Sequence, residues 1–200
     1  MIAVINYGMG NLTSVKKALD ALNIPSIITN DPKEISESTH IILPGVGSFK
    51  KAMENLNAAS MVSVLKECVI EKRTPILGIC LGMQLLADKG FENEETEGLG
   101  FIEGEILQIP TSDLPTTHIG WNEIDTKDNV LFKNIIDKNF YFVHSFYFKA
   151  ANTSEIAASV HYGDNITAAV RKGNIFGTQF HPEKSQKEGL KILQNFYSYA

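Results

Sequence analysis

The chain has 200 residues, 44% of them hydrophobic, and a formal net charge of −5, which is enough apolar material for one sizeable core and predicts a single domain over 1–200 with room for a small appended sheet. The acidic balance, with no Lys/Arg cluster, argues against a nucleic-acid binder. No apolar run approaches membrane-spanning length, and residues 1–6 have neither the basic start nor the long apolar stretch of a secretory leader.

Residues 2–5 are a short apolar strand. Residues 11–22 place Leu12, Val15, Ala18, Leu19 and Leu22 at helical spacing. Residues 24–29 read as a second strand, and Asn30-Asp31-Pro32 as a turn into a short polar helix. Ile41-Ile42-Leu43 is a third strand, ending in Pro44-Gly45-Val46-Gly47-Ser48. Helices follow over about 49–57 and 61–72, and residues 76–79 form a fourth strand. Strands alternating with helices build βαβ units and a parallel sheet covered on both faces. Ligands of such sheets bind beyond the carboxyl ends of the strands, where the loops after Ile5, Leu43 and Ile79 lie. From residue 100 the pattern changes. Residues 100–110, 117–126, 139–150, 156–160, 166–171 and 174–180 read as short strands, with hairpins at Tyr162-Gly163-Asp164-Asn165 and Arg171-Lys172-Gly173-Asn174. An amphipathic helix over about 186–199 closes the chain, and the acidic run Glu92-Asn93-Glu94-Glu95-Thr96-Glu97 reads as a solvated loop. The expected fold is α/β: a mostly parallel central sheet flanked by helices, with an additional antiparallel sheet in the second half.

The two cysteines differ in setting. Cys68 lies in an amphipathic helical pattern, where core packing is the default role. Cys80 sits in Gly78-Ile79-Cys80-Leu81-Gly82, between an apolar run and the helix formers Leu81 to Ala87. That is strand, sharp turn, helix, with the thiol at the apex and a helix N-terminus, which favours a thiolate, aimed at it. A buried structural cysteine ending a strand fits the same five residues. No disulfide framework and no zinc spacing are present in the sequence, so a reducing cytosol is the expected compartment, with no metal and no cofactor.

A hundred residues later an apolar strand over 175–180 runs into His181-Pro182-Glu183. Pro182 biases His181 toward extended backbone, so His181 and Glu183 are expected to point the same way from a strand end. Cys, His and carboxylate are the nucleophile, base and base-orienter of acyl-transfer sites. Gly45-Val46-Gly47 suits an oxyanion hole, with the Leu81 amide as second donor; an ordinary β–α turn fits those residues too. A phosphate-binding loop is excluded, because no Gly-Lys-Ser/Thr follows.

Gly78-Ile79-Cys80-Leu81-Gly82-Met83-Gln84 together with His181-Pro182-Glu183 resembles the class I, triad-type glutamine amidotransferases, a flavodoxin-like family. Tyr7-Gly8-Met9-Gly10-Asn11-Leu12, His118-Ile119-Gly120-Trp121-Asn122, Tyr141-Phe142-Val143-His144-Ser145 and Gln179 to Ser185 narrow the resemblance to the glutaminase subunits of imidazole glycerol phosphate synthases. The resemblance implies that Cys80, His181 and Glu183 are the catalytic triad and that Gln84, Glu92, His144 and Ser145 hold glutamine. It implies a (β/α)8-barrel cyclase as partner, met through Asn11, Trp121, Tyr141 and Lys184, and low activity in its absence. Asn6 and Phe146 stand where the family commonly has Asp and Tyr, and the run around Glu92 departs from the usual one, so that Glu94 or Glu95 competes with Glu92. A different ammonia-using synthase as client, a γ-glutamyl hydrolase, and a non-catalytic scaffold are the competing readings.

Overall fold

A computed structural model describes residues 1–110, 114–128 and 130–199. The first part is β1 (Ile2–Ile5), α1 (Leu12–Ala21), β2 (Ser26–Thr29), α2 (Pro32–Ser36), β3 (His40–Gly45), α3 (Phe49–Ala58), α4 (Met61–Lys66), β4 (Ile76–Cys80) and α5 (Leu81–Gln84). There follow β5 (Lys89–Gly90), β6 (Thr96–Glu97), β7 (Gly104–Gln108), β8 (His118–Thr126), β9 (Asn139–His144), β10 (Phe146–Ala150), β11 (Ile156–Tyr162), β12 (Asp164–Lys172), β13 (Ile175–Thr178) and α6 (Gln186–Tyr197).

Among the described residues nine strands form one sheet, in the order β2-β1-β3-β4-β13-β12-β11-β8-β9. The five from β2 to β13 are parallel, and the last four extend the sheet antiparallel. β1, β3, β4 and β13 are buried along their whole length, as strands covered on both faces must be. Ile2 and Val4 pack with α1 and α6, whereas Ala3 and Ile5 pack with α2, α3 and α4, so one strand serves two cores by alternation.

Most of the expected antiparallel strands therefore lengthen the central sheet. The additional sheet is β10-β7-β5-β6, and it is mixed, because β5 runs parallel to β7. The stretch 139–150 divides at Ser145, with β9 in one sheet and β10 in the other. The central sheet curls enough to bring β9 back to the chain just past β13: the His181 amide donates to the Tyr141 carbonyl at 2.9 Å. Two helices also depart from expectation. The last turn of the one over 61–72 widens to a π-turn at Glu67–Glu71. The one after Cys80 stops at Gln84, because the carbonyls of Leu85, Leu86 and Ala87 are taken by the amides of Leu99, Phe101 and Gly100.

Candidate active site

β4 delivers Cys80 into a turn with φ 55° and ψ −112°, a conformation that non-glycine residues adopt only under strain. The turn exists because both flanking positions lack a side chain. A Cβ on Gly78 would lie 2.5 Å from the Gly82 carbonyl oxygen, and one on Gly82 would lie 1.8 Å from that of Leu43. The spacing of the two glycines is thus a steric requirement of the elbow. Cys80 is 6% exposed and opens onto a cleft of about 300 Å3. Its Sγ lies 3.8 Å from the Val143 carbonyl on the curled-back β9, and Gln179 Nε2 donates toward it across 3.8 Å.

His181 and Glu183 meet, but not as expected. Pro182–Lys184 is one 3-10 turn and not extended chain, and that turn sets Glu183 Oε1 at 2.8 Å from His181 Nδ1. Proline at the first position of a helical turn has its φ already set and needs no amide partner, which favours the turn over a continued strand. Both side chains are 2% exposed. Burial works against a charged ring, but the Cys80 sulfur and the Glu183 carboxylate outweigh it and raise the His181 pKa from 6.5 to about 9. Sulfur and ring line the same cleft, although His181 Nε2 has no hydrogen-bond partner, a common state of catalytic pairs without substrate.

Gly45 lies opposite Cys80 in the β3–β4 register, and Val46, Gly47 and Leu81 line the same cleft. Tyr7 braces this loop: its hydroxyl donates to the Pro44 carbonyl at 2.8 Å, and its own carbonyl accepts from Asn55 at 3.1 Å. A Cβ on Gly45 would meet the Tyr7 hydroxyl at 2.7 Å. Burial first, then the charge on Cys80, push the Tyr7 phenol well above its ordinary range, so it remains a donor. A thiol, an imidazole held from behind by a carboxylate and a glycine-rich loop can together perform cysteine acyl transfer.

The model of the class-I glutamine amidotransferases matches residues 3–199. The chain belongs to that family. An imidazole glycerol phosphate synthase subunit HisH 1 of Campylobacter jejuni subsp. jejuni (strain 81-176) is 47% identical over 199 residues, 98% of each chain. The HisH subunit of Geobacillus sp. (strain WCH70) is 48% identical over 204 residues, covering 99% of this chain and 96% of that one. Two solved structures share the fold. A glutamine amidotransferase has a TM-score of 0.77 at 18% identity, over 98% of this chain and 97% of that chain. The PurLQS structure from Thermotoga maritima has a TM-score of 0.74 at 21% identity, over 99% and 97%.

The rest of the amidotransferase cleft comes from α5 and from loops distant in sequence. Gln84 Nε2 donates to the Phe146 carbonyl at 3.0 Å and to Gln179 Oε1 at 3.1 Å. Glu92 Oε2 accepts from the Phe49 amide at 2.7 Å, capping α3 where Ser48 makes no side-chain cap. Glu94 pairs with Lys50 and Glu95 with Lys89, so of the competing acids Glu92 is the one at the cleft. The acidic run is accordingly not only a solvated loop, since Thr96–Glu97 also pairs with Lys89–Gly90. His144 and Ser145 stand at the crossing between the two sheets, with Ser145 Oγ 2.7 Å from Thr117 Oγ1. Both His144 ring nitrogens are occupied by protein groups, the Phe146 carbonyl and His118.

Trp121 is 49% exposed and meets Tyr141 edge-on at 6.1 Å, while Lys184 Nζ stands 5.9 Å from the Tyr141 ring centre. Ile119, two residues before Trp121 on the same side of β8, is 64% exposed and extends this apolar face. Asn11 caps α1, accepting from the Ser14 amide at 3.2 Å, and α1 packs against the 182–184 turn. Tyr7, His118, Ile119 and Gln179 lie in the stretches that carry the family resemblance, but no role follows for them from the sequence. Only Ile119 had a usable signal, its alternation with Trp121; the others act through partners that no local pattern names. Among the described residues no group of three or more His, Cys, Asp or Glu could hold a metal ion, and no helix is long and apolar enough to cross a membrane.

Proposed function

We propose that this chain is the glutaminase subunit of an imidazole glycerol phosphate synthase, acting in histidine biosynthesis. The observation that carries the reading is the ring of His181 held by Glu183 at 2.8 Å and placed beside the strained Cys80, in a chain 47% identical to a HisH subunit end to end. The Cys80 sulfur attacks the side-chain carboxamide carbon of L-glutamine. Charge collects on the carbonyl oxygen, where the loop 45–47 and the Leu81 amide supply donors. His181, protonated by transfer from the thiol, gives that proton to the departing nitrogen, and ammonia leaves a glutamyl thioester. Water, deprotonated by His181, then attacks the thioester and releases glutamate and the free thiol. Glu183 keeps Nδ1 protonated and the ring aimed. Glu92 takes the substrate's α-ammonium, backbone amides about Ser145 take its α-carboxylate, and Gln84 and His144 shape the cleft between them.

Ammonia passes to a (β/α)8-barrel cyclase subunit, which uses it to form imidazole glycerol phosphate and aminoimidazole carboxamide ribotide. The barrel docks on the face of Trp121, Tyr141, Lys184 and Asn11, which adjoins the triad through the 182–184 turn. Residues 1–200 act as one amidotransferase domain. The two free thiols, both buried, suit a cytoplasmic complex. The test is synthesis by the complex reconstituted with the barrel. Cys80→Ala is expected to abolish glutamine-dependent product formation and to leave ammonia-dependent formation intact. Loss of neither would overturn the reading, and equal glutaminase turnover with and without the barrel would overturn the coupling.

A further inference from the structure

The cleft is backed by a chain of polar side chains, of which only His144 has a part in the reaction above. His118 and His144 face one another in the β8–β9 pair, and both are buried. His144 Nδ1 lies 2.9 Å from the Phe146 carbonyl. A carbonyl only accepts, so the proton is on Nδ1 and Nε2 is left as the acceptor. His118 Nδ1, 3.0 Å from that Nε2, must then be the donor. His118 Nε2 in turn accepts from Asn122 Nδ2 at 3.3 Å, and the same amide nitrogen donates to the His161 carbonyl at 3.1 Å. The Glu123 amide donates to Asn122 Oδ1 at 2.9 Å, which fixes the orientation of the Asn122 amide independently. Every proton in the chain is thus assigned from its two ends, and both rings are neutral. Burial agrees with this, lowering each ring from 6.5 to about 4. His118 is also clamped in an aromatic stack, 4.7 Å from Phe142 and 4.2 Å from Tyr162.

The far end of the chain is part of the cleft. The Phe146 carbonyl that accepts from His144 also accepts from Gln84, and the two bonds pin the bend at Ser145 where the backbone passes from one sheet to the other. We propose that His118 is a positioning residue for the substrate: by donating to His144 it locks that ring onto the Phe146 carbonyl and so holds the Ser145 bend in the shape that receives the amino-acid end of the substrate. The inference rests on the reading that this cleft takes glutamine. A ring present only to fill the Phe142–Tyr162 stack would serve equally well as phenylalanine; a donor would not.

The experiment uses the complex with the barrel and its ligand. His118→Phe keeps the stack and removes the donor, leaving His144 Nε2 buried without a partner. His118→Asn loses the ring and keeps an amide donor near the Nδ1 position. The Phe variant is expected to raise the glutamine KM roughly tenfold or more while kcat changes by less than about threefold, and the Asn variant to recover most of the KM. Alkylation of Cys80 by iodoacetamide is expected to be unchanged in both. An unaltered KM in the Phe variant, an equal defect in both variants, or a loss confined to kcat would overturn the proposal. Nitrogen-15 spectra of the histidine rings in the unsubstituted protein test it without any variant: both His118 and His144 are expected as neutral Nδ1–H tautomers, and an Nε2–H tautomer at either would also overturn it. Absence of glutamine hydrolysis by the unsubstituted complex would refute the functional reading instead, while the tautomers would still decide whether the chain runs as described.

Discussion

Replacing Glu183 with glutamine separates the charge of the orienting residue from its shape. The amide can still present an oxygen to His181 Nδ1 at the 2.8 Å the carboxylate now holds. Its nitrogen would fall where Glu183 Oε2 is now, a buried site with no hydrogen-bond partner. The rise of the His181 pKa from 6.5 to about 9 corresponds to roughly 3 kcal/mol in favour of the charged ring, after burial has been overcome by Cys80 and Glu183 together. A hydrogen bond to a charged group contributes about 1.5–3 kcal/mol, so assigning about 2 kcal/mol to Glu183 is consistent with that total. Glu183→Gln should then lower glutaminase turnover about 30-fold. It should also move the alkaline limb of the pH–rate profile, expected near 9, down by about 1.5 pH units. The assay is glutamate release by the complex with the barrel, with ammonia-dependent synthesis as the control that stays constant. Turnover within about threefold of the parent, with the alkaline limb unmoved, would refute the assigned role of the carboxylate. The same pairing bears on stability. A folded ring that holds its proton more tightly than an unfolded one, at 6.5, stabilises the protein fully below pH 6.5, and the contribution fades as pH rises through about 9.

Gly82→Ala would put a methyl 1.8 Å from the Leu43 carbonyl oxygen, so the end of β3 and α5 must separate. Overpacking of backbone against backbone should cost about 3 kcal/mol, a fall in Tm of roughly 6–12 °C by calorimetry, and a Tm within about 2 °C of the parent would contradict the steric account of the elbow. Trp121→Ala removes the half-exposed ring at the centre of the proposed docking face. Calorimetric titration with the barrel should show Kd rising tenfold or more, with the Tm of the isolated chain unchanged; an unaltered Kd would place the interface elsewhere.

The chemistry of this protein was legible in its sequence wherever the cause is short-range. The elbow is in part such a case: Gly78, Cys80 and Gly82 are close in the chain and a side chain on Gly78 would strike Gly82 within the same turn, whereas the clash that forbids one on Gly82 is with Leu43 in the neighbouring strand. The alternating first half is another, because burial on both faces of a parallel strand forces an apolar run and burial on one face of a helix forces a 3.6-residue period. The pairing of His181 with Glu183 was anticipated, but by extended chain and not by the turn that makes it, since a proline constrains its own φ without choosing between the two.

What only the tertiary structure decided are the matters of partnership. Residues 139–150 look like one strand, and nothing in their alternation marks Ser145 as the crossing between sheets. Glu92, Glu94 and Glu95 are chemically alike, and what separates them is that the Phe49 amide, at the start of a helix more than forty residues away, lies within reach of Glu92. The second-half strands carry the right period for an antiparallel sheet, but period does not say which edge they join, and they joined the parallel sheet and curled until Val143 reached Cys80. Periodicity and the sterics of a single turn act over a few residues and are written in order along the chain; strand pairing, close packing between strands and buried hydrogen bonds are settled by which surfaces meet once the chain has folded, and the cleft is assembled from those meetings.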